Sequence, residues 1–98
     1  MSVFSQIVEF LRALVSTPLT YPELEGALDK LASENPEKLD WRNSIVDLMK
    51  LTNQDSGLKN REKLAQELGY PGPYNGSADM NVWLHQQVMD ELAKTLPR

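Results

Sequence analysis

The sequence predicts an all-α fold, a compact bundle of about five short amphipathic helices. Apolar residues recur at helical spacing in five separate segments, and residues that cap or break helices stand between those segments. No segment shows the alternation of apolar and polar residues that is typical of a half-buried strand. With 98 residues, of which 41% are hydrophobic, the chain suits one helical domain over residues 1–98.

The first predicted helix, over about Ser2–Ser16, is strongly amphipathic. At 100° per residue its large apolar side chains fall on one arc of about 160°. These side chains are Val3, Phe4, Ile7, Val8, Phe10, Leu11, Leu14 and Val15. Thr17-Pro18 ends the helix, because the residue before a proline disfavours the helical region. Residues 1–17 are therefore an N-terminal amphipathic helix, which precedes a helical core over residues 20–96.

Capping signals set the second and third predicted helices. Thr20 with Glu23 three residues later matches a capping box, and Asn35-Pro36 stops the second helix. Asp40 is the expected N-cap of the third helix, over about Asp40–Leu51. Its apolar face carries Trp41, Ile45, Val46, Leu48 and Met49.

The last two predicted helices lie on either side of a loop rich in proline and glycine. Ser56 is the expected cap of a helix over about Gly57–Leu68, which Gly69 closes. Ser77 is the expected cap of the helix over about Ala78–Leu96. The side chains expected to face inward are Leu58, Leu64, Ala65 and Leu68 in the fourth helix and Val82, Leu84, Val88, Met89, Leu92 and Leu96 in the fifth.

The composition argues against several classes of function. Without cysteine, the chain can form no disulfide, thiol nucleophile or thiolate metal site, and its one histidine cannot make a metal cluster. A net charge of −4 with scattered basic residues argues against binding to nucleic acid. There is no glycine-rich phosphate loop and no nucleophile elbow. The sequence therefore predicts a protein that is not an enzyme and uses no cofactor.

The sequence also bears on location. No apolar run approaches the roughly 20 residues of a membrane span, and the N-terminus lacks the basic region and cleavage site of a signal peptide. A cytoplasmic location is expected. The helix around Phe4–Val15 could join the core, dock a partner or lie on a membrane surface. Its polar face carries Arg12 balanced by Glu9, which disfavours the membrane.

Four polar residues are candidates for a structural network. Asn81 and His85 are four residues apart on the apolar face of the fifth helix, and Arg42 and Arg61 project near the apolar arcs of the third and fourth helices. Buried polar groups need hydrogen-bond partners, so we expect these side chains to join the helices together. The alternatives are a ligand pocket and a catalytic site.

Aromatic residues define a candidate contact surface. Trp83 projects away from the predicted inward face, with Met80 near it, and an exposed Trp beside Met is typical of a binding hot spot. Trp83, Met80, Tyr70 and Tyr74 are therefore the predicted partner-binding surface. In the alternative interpretation, the loop with Tyr70 and Tyr74, or the first helix, folds over Trp83.

Several ordered motifs resemble a known family. They are Lys38–Leu51 with Leu39-Asp40-Trp41-Arg42, Asp55–Leu58, Arg61, Leu64-Ala65, Glu67–Tyr70, Ser77–His85 and Val88-Met89. Together, over about residues 20–95, they are similar to a family of small bacterial and phage proteins known only as a domain of unknown function. The resemblance implies an all-helical fold, and it implies no activity and no catalytic residue.

The start of the chain also resembles that family. Met1–Phe4 is similar to the short N-terminal amphipathic segment of its members, in which a linker rich in alanine and proline follows. Here Thr17–Thr20 is the whole connection. We therefore expect the first helix to pack on the bundle.

Three hypotheses of function follow. The leading one is a non-enzymatic protein–protein interaction module that binds another protein or itself. The first alternative is a phage-encoded inhibitor of a host or defence complex, a small acidic protein that mimics nucleic acid. The second alternative is a module of the cell envelope, at the membrane surface or on peptidoglycan, since Leu64–Tyr70 resembles the helix of peptidoglycan-binding modules.

Overall fold

The computed structural model describes residues 2–14 and 20–95 and confirms the predicted all-α fold. Five α-helices follow one another along the chain, and the described residues contain no strand. The helices are α1 (Val3–Leu14), α2 (Tyr21–Glu34), α3 (Ile45–Leu51), α4 (Leu58–Leu68) and α5 (Ala78–Thr95). The sequence predictions for Val15 to Pro18 and for Leu96 lie outside the described residues.

Helix α5 is the centre of the bundle. Helices α1, α3 and α4 each pack against it, α1 also packs on α4, and α2 packs on α3. The buried stripe of α5 consists of Met80, Leu84, Val88, Met89 and Leu92. The radius of gyration is 12.8 Å, close to the roughly 13 Å of a compact domain of 100 residues.

Helix α1 lies on the bundle and is held there in two ways. Val3, Ile7, Val8 and Leu11 are buried in the core. The backbone N–H groups of Val3 and Phe4 donate to the two carboxylate oxygens of Glu67, at 2.8 and 3.0 Å. A carboxylate of α4 thus caps the N-terminus of α1, where unsatisfied N–H groups and the helix dipole favour a negative charge.

Three of the predicted capping residues are confirmed. The Oγ1 atom of Thr20 accepts from the backbone N–H of Glu23 at 3.4 Å, and Thr20 is the N-cap of α2. Gly69 ends α4 with a φ of 90°, in the left-handed region that favours glycine. The Oγ atom of Ser77 accepts from the backbone N–H of Met80 at 3.2 Å, at the start of α5.

The predicted start of α3 at Asp40 is wrong. The helix begins at Ile45, and Ser44 is its N-cap, because the Oγ atom of Ser44 accepts from the backbone N–H of Asp47. The carbonyl of Asp40 instead accepts from the backbone N–H groups of Asn43 and Ser44, which closes a turn over residues 40–44. This turn places Trp41 in the core, at 3% exposure.

Ser56 is not the cap of α4. Gly57 occupies the N-cap position and has no side chain to accept a hydrogen bond. The preceding loop is ordered instead by Asp55, whose Oδ1 atom accepts from the backbone N–H of Gly57 at 3.0 Å. A short Asx turn therefore takes the place of a serine cap.

Two residues predicted to face inward are exposed, Val82 at 67% and Leu58 at 42%. Val82 comes two residues before Leu84 and two after Met80. Two residues correspond to about 200° of helical rotation, so Val82 points away from the buried stripe that contains both. The apolar arc of α5 is therefore narrower than the sequence indicates.

Candidate functional site

The predicted aromatic surface is partly covered. Met80 is fully buried, so its prediction as a contact residue is wrong: it belongs to the core. Trp83 is half-buried, and its ring lies 4.9 Å from that of Tyr70. The ring of Tyr74 meets that of Tyr70 edge-on at 6.0 Å, and its hydroxyl donates to the carbonyl of Tyr70. The loop between α4 and α5 thus folds over Trp83.

The four residues predicted to form one polar network lie in two separate groups. In the first group, Nη1 of Arg61 donates to Oδ1 of Asn81 at 2.9 Å. Nε of Arg61 donates to the carbonyl of Ser56, and Nδ2 of Asn81 donates to the carbonyl of Gly76. This group joins the start of α4 to the start of α5.

The second group lies at the turn before α3. Nε2 of His85 is 2.6 Å from the carbonyl oxygen of Trp41. The guanidinium of Arg42 covers the Trp41 ring at 4.4 Å from its centroid and binds Glu25 and Asp29 of α2, each at 2.8 Å. Among the residues that the structure describes, no hydrogen bond links this group to Arg61 and Asn81.

His85 and Arg42 line an open groove of about 470 Å³, which we call the α5 groove. Its walls are the first turns of α2, the turn before α3, and one side of α5. Lining residues from these three segments are Tyr21, Glu25, Trp41, Arg42, Asn43, Val82, His85, Gln86, Met89 and Asp90. The groove thus brings together residues that the sequence predictions treated separately.

The charges at the α5 groove do not cancel. Among the residues that line the groove, the carboxylates of Glu25 and Asp90 carry −2 and the guanidinium of Arg42 carries +1, which leaves −1. The carboxylate of Asp29 does not line the groove, but it pairs with Arg42. Hydrogen bonds to Asp29 and Glu25 raise the pKa of Arg42 above its usual value, so its charge is permanent.

The carboxylates at the groove also affect the pKa of Tyr21. Burial is the main cause that raises the pKa of its hydroxyl above the usual value, and the carboxylates of Glu25 and Asp90 raise it further. The guanidinium of Arg42 opposes this shift. The hydroxyl of Tyr21 therefore stays protonated at neutral pH and is available as a hydrogen-bond donor.

The hydrogen bond of His85 fixes which ring nitrogen carries the proton. A carbonyl oxygen can only accept, so Nε2 is the donor to Trp41. In the neutral imidazole, Nδ1 is then an acceptor. It has no hydrogen-bond partner within residues 2–14 and 20–95. Since no completely buried side-chain nitrogen of the described residues lacks a partner, Nδ1 keeps some contact with solvent.

The lining of the α5 groove offers hydrogen-bonding groups, charges and apolar side chains. No three His, Asp or Glu side chains of the described residues lie close enough together to hold a metal ion. None of the described helices has the length and apolar character needed to cross a bilayer.

Sequence reasoning missed most of this groove. The sequence places Val82 in the core and does not single out Tyr21, and it brings in Glu25 and Asp90 only as two of six acidic residues that could share an acidic surface. The separation of Val82 from Leu84 by about 200° was a signal that could have placed it on the surface. Nothing in the sequence shows that the first turns of α2 approach α5, because that proximity depends on the turn before α3.

Known proteins give the chain relatives but no activity. Residues 12–96 match the family described as a domain of unknown function, DUF3597. The solution structure of a conserved unknown protein from Rhodopseudomonas palustris has 36% sequence identity and a TM-score of 0.77, and the match covers 100% of this chain and 95% of that one. No curated protein matches the chain.

Proposed function

The chain belongs to the DUF3597 family, described as a domain of unknown function, and we propose that it is a non-enzymatic module that binds another protein through the α5 groove. This site replaces the surface around Trp83 that the sequence favours. Trp83 packs against Tyr70 and is only half-exposed, whereas the α5 groove is open and has an apolar residue in its wall.

The exposure of Val82 carries the proposal. Three large hydrophobic residues of the described chain are exposed, and Val82, at 67%, is the most exposed of them and lines the groove. Valine has a lower helix propensity than an unbranched residue, so the stability of α5 does not account for Val82 on its solvent side. Covering it with a partner would gain roughly 1–2 kcal/mol from burial of its apolar surface.

The residues around Val82 suit recognition. An apolar centre with a rim of tyrosine, arginine and amide side chains is typical of a protein interface. Tyr21, Arg42 and Gln86 supply such a rim. Fixed geometry also favours binding, because the salt bridges of Arg42 hold the turn before α3 against α2 and limit the ordering that a partner would impose.

One ion pair occupies two of the three charged side chains that line the groove. Glu25 is paired with Arg42, which also binds Asp29. Asp90 is the one carboxylate at the groove that makes no ion pair with the described residues.

Capture of partners from a native lysate tests the proposal. Val82→Glu adds a charge at the groove, and Gln66→Glu adds the same charge at an exposed position of α4 as a matched control. We expect a specific partner with the wild type and with Gln66→Glu, and loss of that partner with Val82→Glu. Circular dichroism checks that both variants fold.

Equal capture by the two variants would show that the binding site lies outside the α5 groove. Loss of the partner with both variants would indicate a response to net charge alone. Either result would contradict the proposal.

The acidic groove also supports a second candidate, an inhibitor of a complex that binds nucleic acid. The lining residues of the groove leave a net charge of −1, and Asp29 beside Arg42 adds a further carboxylate. Complexes that bind nucleic acid attract charge of this sign. A captured partner that nucleic acid displaces in competition would favour this candidate. A partner indifferent to nucleic acid would remove it.

A further inference from the structure

If the chain binds a protein through the α5 groove, its chemistry narrows the partner. We propose that the groove accepts a short extended segment that carries an arginine or lysine three or four residues from an aliphatic side chain. The aliphatic side chain covers Val82, and the cation lies beside Asp90 and Glu25. This inference rests on the proposed function and names the chemistry of its partner.

The negative charge of the groove favours a cation on the partner segment. The lining residues keep a net charge of −1 after Arg42 is counted, and Asp90 makes no ion pair with the residues that the structure describes. A cleft of one sign attracts the opposite charge and raises the rate of encounter. The groove would repel an acidic segment and offer it no unpaired cation, since Arg42 is already bound to Glu25 and Asp29.

Hydrogen bonding favours the same partner. His85 lines the groove, and with its hydrogen bond made through Nε2 the second nitrogen of a neutral imidazole, Nδ1, is an acceptor. A guanidinium, an ammonium or a backbone N–H of the segment supplies the matching donor. The hydroxyl of Tyr21 can donate in turn to a backbone carbonyl of the segment.

Spacing along α5 sets the length of the segment. Val82, Gln86 and Asp90 follow one another at four-residue intervals and all line the groove. At 1.5 Å per residue, Val82 and Asp90 are about 12 Å apart along the helix axis. An extended chain covers that distance in about four residues, which gives the separation between the aliphatic side chain and the cation.

Selection from a library of random nine-residue peptides, displayed on phage, tests this inference. The targets are the wild type, Asp90→Asn, and Asp79→Asn as a control that removes the same charge from an exposed position of α5 outside the groove. We expect wild type and Asp79→Asn to select peptides in which an arginine or lysine lies three or four residues from a Leu, Ile or Val. Binding of an enriched peptide should weaken at least about threefold with Asp90→Asn.

Backbone NMR shifts then locate the peptide, with the largest changes expected at Val82, His85 and Gln86. Three results would overturn the inference: peptides enriched without a cation, equal binding to Asp90→Asn and the wild type, or no enrichment at all. If lysate capture still depends on Val82 in any of these cases, the interaction module stands and only the chemistry of its partner is wrong. If capture is independent of Val82, the proposed function itself fails.

Discussion

At the scale of single residues, Asp29 holds the turn that forms one wall of the α5 groove. Its Oδ1 atom accepts from Nε1 of the buried Trp41 at 3.1 Å, and its Oδ2 atom binds Arg42 at 2.8 Å. Glu25 also binds Arg42 at 2.8 Å, but it makes no bond to Trp41. The two carboxylates therefore differ in one hydrogen bond to a buried donor.

We predict that Asp29→Ala lowers the free energy of unfolding by about 1–3 kcal/mol, because the N–H group of Trp41 loses its acceptor inside the protein. Glu25→Ala should cost less than about 1 kcal/mol, since its pair with Arg42 is largely exposed. Urea unfolding followed by circular dichroism measures both. Equal losses for the two variants would show that the bond to Trp41 contributes nothing.

At the scale of elements, α1 depends on α4 for the cap of its N-terminus. The carboxylate of Glu67 accepts from two backbone N–H groups, those of Val3 and Phe4. The hydroxyl of Ser2 caps the same end, since it accepts from the backbone N–H of Ser5 at 3.0 Å, and Glu67 satisfies the N–H groups of Val3 and Phe4 that this bond leaves open. Glu67 is therefore the polar anchor of a helix whose apolar side is buried in the core.

We predict that Glu67→Ala lowers the free energy of unfolding by about 1–2 kcal/mol and loosens α1, because two N–H groups lose a charged acceptor. Gln66→Ala, at the neighbouring exposed position of α4, should change stability by less than about 0.5 kcal/mol. Amide hydrogen exchange at Ile7 and Val8 should accelerate only in Glu67→Ala. Unchanged exchange at these amides would mean that apolar packing alone holds α1.

At the scale of the whole molecule, α5 connects the core to the proposed binding surface. One side of the helix is buried against α1, α3 and α4, and another side lines the α5 groove with α2 and the turn before α3. The packing of Leu84 and Val88 therefore fixes the orientation of Val82 and Gln86. A groove supported in this way changes little when a partner binds.

The sequence predicted the features of this molecule that depend on neighbouring residues. The hydrogen bonds at the helix ends join residues only three or four positions apart, as at Thr20, Gly69 and Ser77. The roles of these residues therefore follow from the local sequence pattern. The five helices follow in the same way, because helical periodicity is also local.

The candidate site could not be predicted in this way, because it depends on contacts between distant residues. His85 binds Trp41 across 44 residues, and Arg42 binds Glu25 across 17. The fold of the loop over Trp83, which decides how far that ring is exposed, likewise depends on tertiary packing. Helical periodicity and capping patterns contain no signal for contacts over such distances.

Site-specific photo-crosslinking is the most direct test of the central claim, that a partner protein contacts the α5 groove. A photoreactive phenylalanine derivative is placed at Val82 and, as the control, at Gln66 of α4. After illumination in a native lysate, we expect position 82 to form a covalent product with one specific protein, and position 66 to form none with it. A product of equal yield at both positions, or at position 66 alone, would contradict the claim.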